Sequence, residues 1–349
     1  MADSTQPLAT APSVHASIAH DSATRHVTGE ALYIDDLPEP AGLLHMFVGQ
    51  SAWAHARVAK LDLTAVRAAP GVVAVLTAAD VPGRNDIGPV VNDEPMLAED
   101  VVRYVGQPLF AVAAESLPKA RAAAALAVVT YEDLQPLLTI AAARDAGSTI
   151  EDSQTMRLGD AHAAIAAAPH RLSGQIATGG QDHFYLEGQV ALVIPGEAGD
   201  LHVWSSTQNP TETQHLIARI LGLRDHAVVV EVRRMGGGFG GKETQSVHYA
   251  AIAALAATVT GRPAKIRLDR DDDMVMTGKR HDFEIAYETG FDDAGVLRGA
   301  AFDLASRCGC SADLSVAIND RAMFHSDNCY FLGTAEIISH RFKTHTVSN

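Results

Sequence analysis

Three cysteines in 349 residues are too few for a disulfide framework, which suits a reducing compartment. They also lack the spaced pairs that hold an iron–sulfur cluster. No stretch approaches the roughly eighteen apolar residues needed to cross a bilayer. Met1 to Val14 has no basic region followed by an apolar core, so it does not resemble an export signal. The expected location is therefore cytoplasmic, away from any membrane. Positive charge is scarce as well: 27 Lys and Arg face 42 Asp and Glu, a formal net charge of -15. That balance excludes non-specific nucleic-acid binding, which needs clustered cations. It leaves room for a local basic pocket. The 16 histidines form no zinc-hydrolase helix motif, and no Ser or Cys nucleophile sits in a convincing elbow.

What remains is an ordinary turn-rich composition, 47% apolar and 20% charged, with 28 Gly and 15 Pro. Residues 1–20 are polar and alanine-rich and are expected to form a flexible leader. A first domain is expected over residues 21–148 and a second over 149–349, with the small polar stretch Asp145 to Ser153 as linker. In the first, apolar runs at Gly71 to Leu76, Leu109 to Ala113 and Val128 to Tyr131 read as strands. Leu117 to Ala127 reads as a helix. Strand and helix alternate, which predicts an α+β or α/β module. In the second, Asp160 to Ala168 reads as a short helix and Leu201 to Ser205 as a strand. A helix over Thr211 to Leu221 is stopped by Gly222. Val228 to Arg234 is the next strand, and a helix with a stripe at Val247, Ala251, Ala254, Leu255, Thr258 and Val259 follows. Ala264 to Leu268 reads as a strand, Asp269 to Asp273 as an acidic turn, and Phe283 to Leu304 as a hairpin around Asp292. The alternating residues from Ile337 run to Asn349 without a closing cap or helix, so the chain is expected to stop inside a domain.

The segment Arg234 to Glu243 carries the clearest signal. Five glycines within six positions surround Phe239, between a β-branched run and an alanine-rich helix. Such a turn uncovers main-chain N–H groups and lets a bulky anionic or oxo ligand approach the backbone. It is neither a dinucleotide fingerprint nor a phosphate-binding loop, because the spacing differs and Lys242 is followed by Glu243. Glu243 reads either as a first-turn helix cap or as a carboxylate beside a bound nitrogen heterocycle. Gln208, where a strand gives way to a helix, reads as a turn cap or as an amide donor to a ligand. Arg321 reads as a surface or salt-bridging arginine or as a functional cation. Asp271 to Asp273 form a solvated turn or a hard-cation site, and Cys308 with Cys310 lack the partners of a metal site.

Several motifs in fixed order make the chain resemble the large subunit of the molybdenum hydroxylase family that includes xanthine dehydrogenases. They are Thr28 to Asp36, Val105 to Pro108, Gly180 to Glu187, Ser206 to Asn209, Arg234 to Glu243, Asp269 to Met274, Thr277 to His281 and Asp320 to His325. The resemblance implies an α/β hammerhead domain followed by the first part of a molybdenum-cofactor-binding domain, α+β overall. It implies hydroxylation of hypoxanthine or xanthine at carbon, with oxygen from water, at a molybdenum–molybdopterin centre. Electrons would pass through 2Fe-2S clusters and FAD on a small partner subunit to NAD.

By the same resemblance Gln208 hydrogen-bonds an oxygen on the metal, while Phe239, Gly240 and Gly241 bind the cofactor. No protein side chain ligates the metal directly, since the pterin dithiolene holds it. Glu243 hydrogen-bonds the purine nitrogens and Arg321 offsets charge delocalised into its ring. Related aldehyde oxidases have apolar residues at those two positions, so the pair favours a purine. The family's later pterin-binding segments and its general-base glutamate fall beyond Asn349. The 349 residues alone are therefore expected to be inactive until the remainder of the subunit is supplied, in a dimer of heterodimers when complete. Two alternatives stay open: an aldehyde or other N-heterocycle hydroxylase, and a noncatalytic truncated or assembly protein.

Overall fold

The computed structural model describes residues 14–349, so positions 1–13 of the expected leader lie outside the described residues. The strands, in chain order, begin with β1 (Leu44–Gln50), β2 (Ala56–Asp62), β3 (Val72–Leu76), β4 (Val101–Val102) and β5 (Pro108–Ala114). Next come β6 (Val128–Asp133), β7 (Gln154–Leu158), β8 (His170–Thr178), β9 (Val190–Pro195) and β10 (Leu201–Ser205). The last are β11 (Val228–Glu231), β12 (Ala264–Arg267), β13 (Phe283–Phe291), β14 (Leu297–Gly309) and β15 (Ala335–Lys343). The helices start with α1 (Ala23–Thr28), α2 (Thr64–Ala68), α3 (Leu117–Ala124), α4 (Ile140–Asp145) and α5 (Ala161–Ala167). They continue with α6 (Pro210–Leu221), α7 (Gln245–Thr260), α8 (Arg270–Met276) and α9 (Ser315–Phe324).

These strands form a seven-stranded sheet ordered β11-β10-β9-β12-β1-β5-β3, a five-stranded sheet β7-β15-β14-β13-β8, and a three-stranded sheet β4-β2-β6. The architecture is α+β, with parallel and antiparallel pairs mixed. The largest sheet straddles residue 148. In it β1 runs parallel to β12, with Leu44 opposite Ala264, and antiparallel to β5. Nor does the stretch Asp145 to Ser153 hang free. Ser148 Oγ donates to the Lys343 carbonyl at 3.0 Å, and Ile150 N donates to the Arg341 carbonyl at 2.9 Å. The fully buried Arg341 guanidinium also binds Glu151, and it reaches Asp320 Oδ1 at 2.5 Å.

Helix α7 shows why the largest sheet is stable. Its residues from Ser246 to Ala257 are all buried, so the expected one-sided stripe becomes burial all round, while Val259 at the end is exposed. The cause is its position: one side packs on β9 and β12, another on α6. Alanine lets both neighbours approach closely, and close packing stabilises through many small dispersion contacts. Leu44, Val193, Ile217, Ile252, Leu255 and Ile266 belong to this core. Helix α6 stops as expected at Gly222, which takes a left-handed φ of 66°, and its start at Pro210 is capped by Asn209, whose Oδ1 accepts from Glu212 N at 3.2 Å.

Two local expectations change. Asp269 to Asp273 is no solvated turn, because Asp271 to Asp273 open α8, where their charge suits the positive helix end. Strand β11 stops at Glu231 rather than Arg234. Its last pairing is Glu231 with Trp204, and the Arg234 guanidinium is drawn aside to the Leu32 carbonyl at 2.7 Å. The hairpin forms as expected, with β13 and β14 antiparallel from Phe283 opposite Ser306 to Phe291 opposite Leu297.

Candidate functional site

The glycine-rich loop joins β11 to α7. Gly241 N donates to the Gly238 carbonyl at 2.8 Å, closing a tight turn with Phe239 at its apex. Phe239 has a φ of 54° and is 75% exposed. A bulky residue in the left-handed region stores about 1–3 kcal/mol of strain, a mark of functional loops. Gln208, at the end of β10, holds this turn in place. Its Oε1 accepts from Gly240 N at 3.0 Å and Lys242 N at 3.2 Å, while its own N–H donates to the Lys242 carbonyl at 2.8 Å. A Cβ on Gly238 would lie 2.5 Å from that Oε1, so only glycine permits the contact. With the oxygen committed, the Nε2 of the exposed Gln208 side chain has no hydrogen-bond partner among the described residues.

Behind the loop stands a layer that the sequence reading did not single out. Lys242 is fully buried; its Nζ donates to the Glu187 carbonyl at 2.7 Å and to Glu187 Oε2 at 3.2 Å. It also sits 4.6 Å from the centroid of the Tyr185 ring. Burial pushes the Lys242 ammonium pKa down, and the Glu187 carboxylate opposes that shift. Glu187 Oε2 accepts from Gly236 N at 2.9 Å, tying down the loop's entrance. Gln189 Nε2 ties its exit, donating to the Gly241 carbonyl at 3.1 Å and to the Tyr185 hydroxyl at 2.9 Å. The Tyr185 hydroxyl donates in turn to Asp273 Oδ1 at 2.7 Å, and burial raises its pKa so that it stays protonated. Asp273 is thus a buried acceptor for the loop's support. The available signal for these residues was a lysine followed by glutamate after the glycines, together with a second polar motif at residues 182–189.

The expected site residues fall into three groups. Gln208, Phe239 and Gly240 meet directly, but the Gly240 N–H is spent on Gln208, which leaves Phe239 N without an acceptor among the described residues. Gly241 is buried on the inner side, where a Cβ would lie 2.7 Å from the His183 ring and 2.8 Å from Tyr185. The backbone there is closely packed against both rings. Glu243 is exposed and precedes α7, whose cap is Thr244, so it is no first-turn helix residue. The half-buried Glu212 carboxyl has its pKa raised by burial and then by Glu243 nearby. Arg321 is exposed on α9, and no hydrogen bond or ion pair among the described residues joins it to Glu243 or Gln208.

Among the described residues no three His, Cys, Asp or Glu side chains are grouped to hold a metal ion. A pterin-held molybdenum centre brings its own sulfur ligands and asks the protein for outward donors and an open backbone. The Gln208 amide, the Phe239 N–H and the exposed Gly240 fit that demand.

Residues 144–349 match the molybdopterin cofactor-binding domain, and residues 28–135 match the α/β hammerhead domain of aldehyde oxidase and xanthine dehydrogenase. The chain is 40% identical over 332 residues to the xanthine dehydrogenase of Dictyostelium discoideum, covering 95% of this chain and 24% of that protein. It is 42% identical over 317 residues to the xanthine dehydrogenase of Oryza sativa subsp. japonica, covering 90% of this chain and 23% of that one. The aldehyde oxidoreductase of Desulfovibrio gigas superposes with a TM-score of 0.88 at 27% identity, over 94% of this chain and 38% of that structure. The chain therefore spans about a quarter of the length of the curated relatives it matches. The two matched domains, the second of which contains the glycine-rich loop, place the chain in the molybdenum hydroxylase family of xanthine and aldehyde oxidoreductases, whose enzymes are molybdenum-dependent.

Proposed function

We propose that this chain serves a xanthine dehydrogenase, in which a purine is hydroxylated at a ring carbon with water as the oxygen source. The observation that carries the reading is the pair Glu243 and Arg321. Both are exposed and of opposite charge, Glu243 at the end of the loop held by Gln208 and Arg321 on α9. A purine presents ring nitrogens to a carboxylate and carbonyl oxygens to a guanidinium, so this pair suits it from two sides. Donors aimed at charge that grows during reaction stabilise the transition state more than the ground state. Arg321 would act in that way on charge spreading into the ring, and Glu243 would orient the heterocycle through its nitrogens. Gln208 and Phe239 would hold the molybdenum–pterin group, which when bound supplies oxygen transfer and two-electron redox chemistry.

Because the chain spans only about a quarter of its relatives, the activity belongs in this reading to an assembly that other segments complete. Those segments include a small subunit bearing 2Fe-2S clusters and FAD, with NAD as acceptor, in a cytoplasmic dimer of heterodimers. No described helix is long and apolar enough to cross a membrane. A second reading, aldehyde hydroxylation, draws support from the exposed rings of Phe184 and Phe239 beside the loop. Steady-state kinetics of the assembled enzyme on xanthine, hypoxanthine and an aromatic aldehyde separate the two. Glu243→Ala and Arg321→Ala should impair purine turnover far more than aldehyde turnover, and equal losses would remove both assigned roles.

A further inference from the structure

Asp313 lies in the turn between β14 and α9, two residues before the helix that carries Arg321. Its Oδ2 accepts from Thr244 Oγ1 at 3.1 Å and from Gln245 Nε2 at 3.2 Å. Thr244 directly follows Glu243, so one carboxylate joins the two polar arms of the site. The latch is braced on both sides. Gln245 Oε1 accepts from Gly278 N at 3.1 Å, and Ala312 N donates to Asp93 Oδ2 at 3.0 Å. Ser311 Oγ donates to Glu94 Oε2 at 2.5 Å.

This arrangement is costly for a merely structural link. Asp313 is only 5% exposed, its Oδ1 is buried without a hydrogen-bond partner, and its backbone has a left-handed φ of 38°. A buried unpaired oxygen and a left-handed non-glycine residue each oppose folding. Neither helix needs the contact for its own end. Thr244 makes no side-chain cap to α7, and Leu314 occupies the cap position of α9.

We infer that Asp313 is a positioning residue: it sets the spacing of Glu243 and Arg321 and thereby the affinity of the site for a purine. The inference rests on the purine reading above. Its test uses the complete, cofactor-loaded enzyme with xanthine and an aromatic aldehyde as paired substrates. Asp313→Gly keeps the left-handed backbone but removes the acceptor, and Thr244→Val removes a donor from the opposite side. Each should raise the KM for xanthine roughly tenfold, leaving kcat and aldehyde kinetics near wild type. Asp313→Asn should restore wild-type KM, because an amide oxygen still accepts and asparagine tolerates this backbone. Equal shifts for both substrates, an unchanged xanthine KM, or an asparagine variant as impaired as the glycine one would each overturn the inference. If Asp313→Gly does not fold, Thr244→Val decides the same bond. Glu243→Ala run alongside separates the two claims. A wild type inert toward xanthine, or a Glu243→Ala variant with normal xanthine KM, sinks the purine reading and this inference with it. A xanthine defect in Glu243→Ala but none in Asp313→Gly or Thr244→Val sinks this inference alone.

Discussion

Lys242 and Glu187 form a buried ion pair under the glycine-rich loop, with Nζ 3.2 Å from Oε2 and the lysine wholly excluded from solvent. The pair joins residues 55 positions apart and fixes the loop from beneath. Glu187 also holds Gly236 N, so both ends of the pair act on the loop's position.

Removing one member should leave the other charge buried and uncompensated. Lys242→Met is expected to lower stability by about 3–5 kcal/mol, and the double change Lys242→Met with Glu187→Gln should recover much of that. Urea unfolding of the two variants measures both effects. A single variant as stable as wild type would mean that solvent reaches the pair.

Gly238→Ala places a methyl group 2.5 Å from Gln208 Oε1. Either the loop shifts or Gln208 releases Gly240 and Lys242. The expected cost is about 1–3 kcal/mol, with a fall in molybdenum content of the assembled enzyme. Elemental mass spectrometry reads the metal directly, and full occupancy would show that the Gln208 anchor is dispensable for loading.

Glu94 is 5% exposed; burial and then the charge of Asp313 push its carboxyl up to about 8. A carboxyl raised in the folded state contributes stability that is complete below its unfolded pKa. That stability is lost as pH rises through the folded value. Denaturant midpoints should therefore fall between about pH 5 and pH 9, and Glu94→Gln should flatten the decline while keeping an acceptor for Ser311. An identical slope in the variant would assign the pH dependence elsewhere.

His248 behaves in the opposite sense. Its ring is 3% exposed, its Nε2 lies 2.5 Å from the Met96 carbonyl, and burial depresses its pKa to about 4. The neutral ring donates to that carbonyl, and its stabilising share is present above the unfolded pKa and lost as pH falls toward about 4. His248→Ala should cost about 1–3 kcal/mol at neutral pH, from the cavity and the orphaned carbonyl, and should reduce acid sensitivity. Unfolding at pH about 5 and about 7.5 tests this, and an unchanged pH difference would count against it.

Much of the local order was legible in the chain because nearby residues decide it. Strand Leu201–Ser205 alternates; helix Pro210–Leu221 carries its own cap at Asn209 and stop at Gly222; the hairpin from Phe283 turns at acidic residues. The glycine run advertised a loop open to a ligand, and Gln208 stood out at a strand end. The support beneath was not legible. Lys242 beside Glu243 gives no hint that its ammonium is buried against Glu187, and Asp273 in an acidic run looks solvated until Tyr185 reaches it.

Sequence by itself therefore determined local elements such as the strand Leu201–Ser205, the helix Pro210–Leu221 with its stop at Gly222, and the glycine-rich loop, because caps, periodicity and glycine content act over a few residues. Tertiary structure alone decided that β1 lies beside β12, that α7 is buried on every side, and that Asp313 joins the loop bearing Glu243 to the helix bearing Arg321. Those contacts join segments far apart in the chain. Only global packing, by burying apolar faces together, brings such side chains within hydrogen-bonding distance.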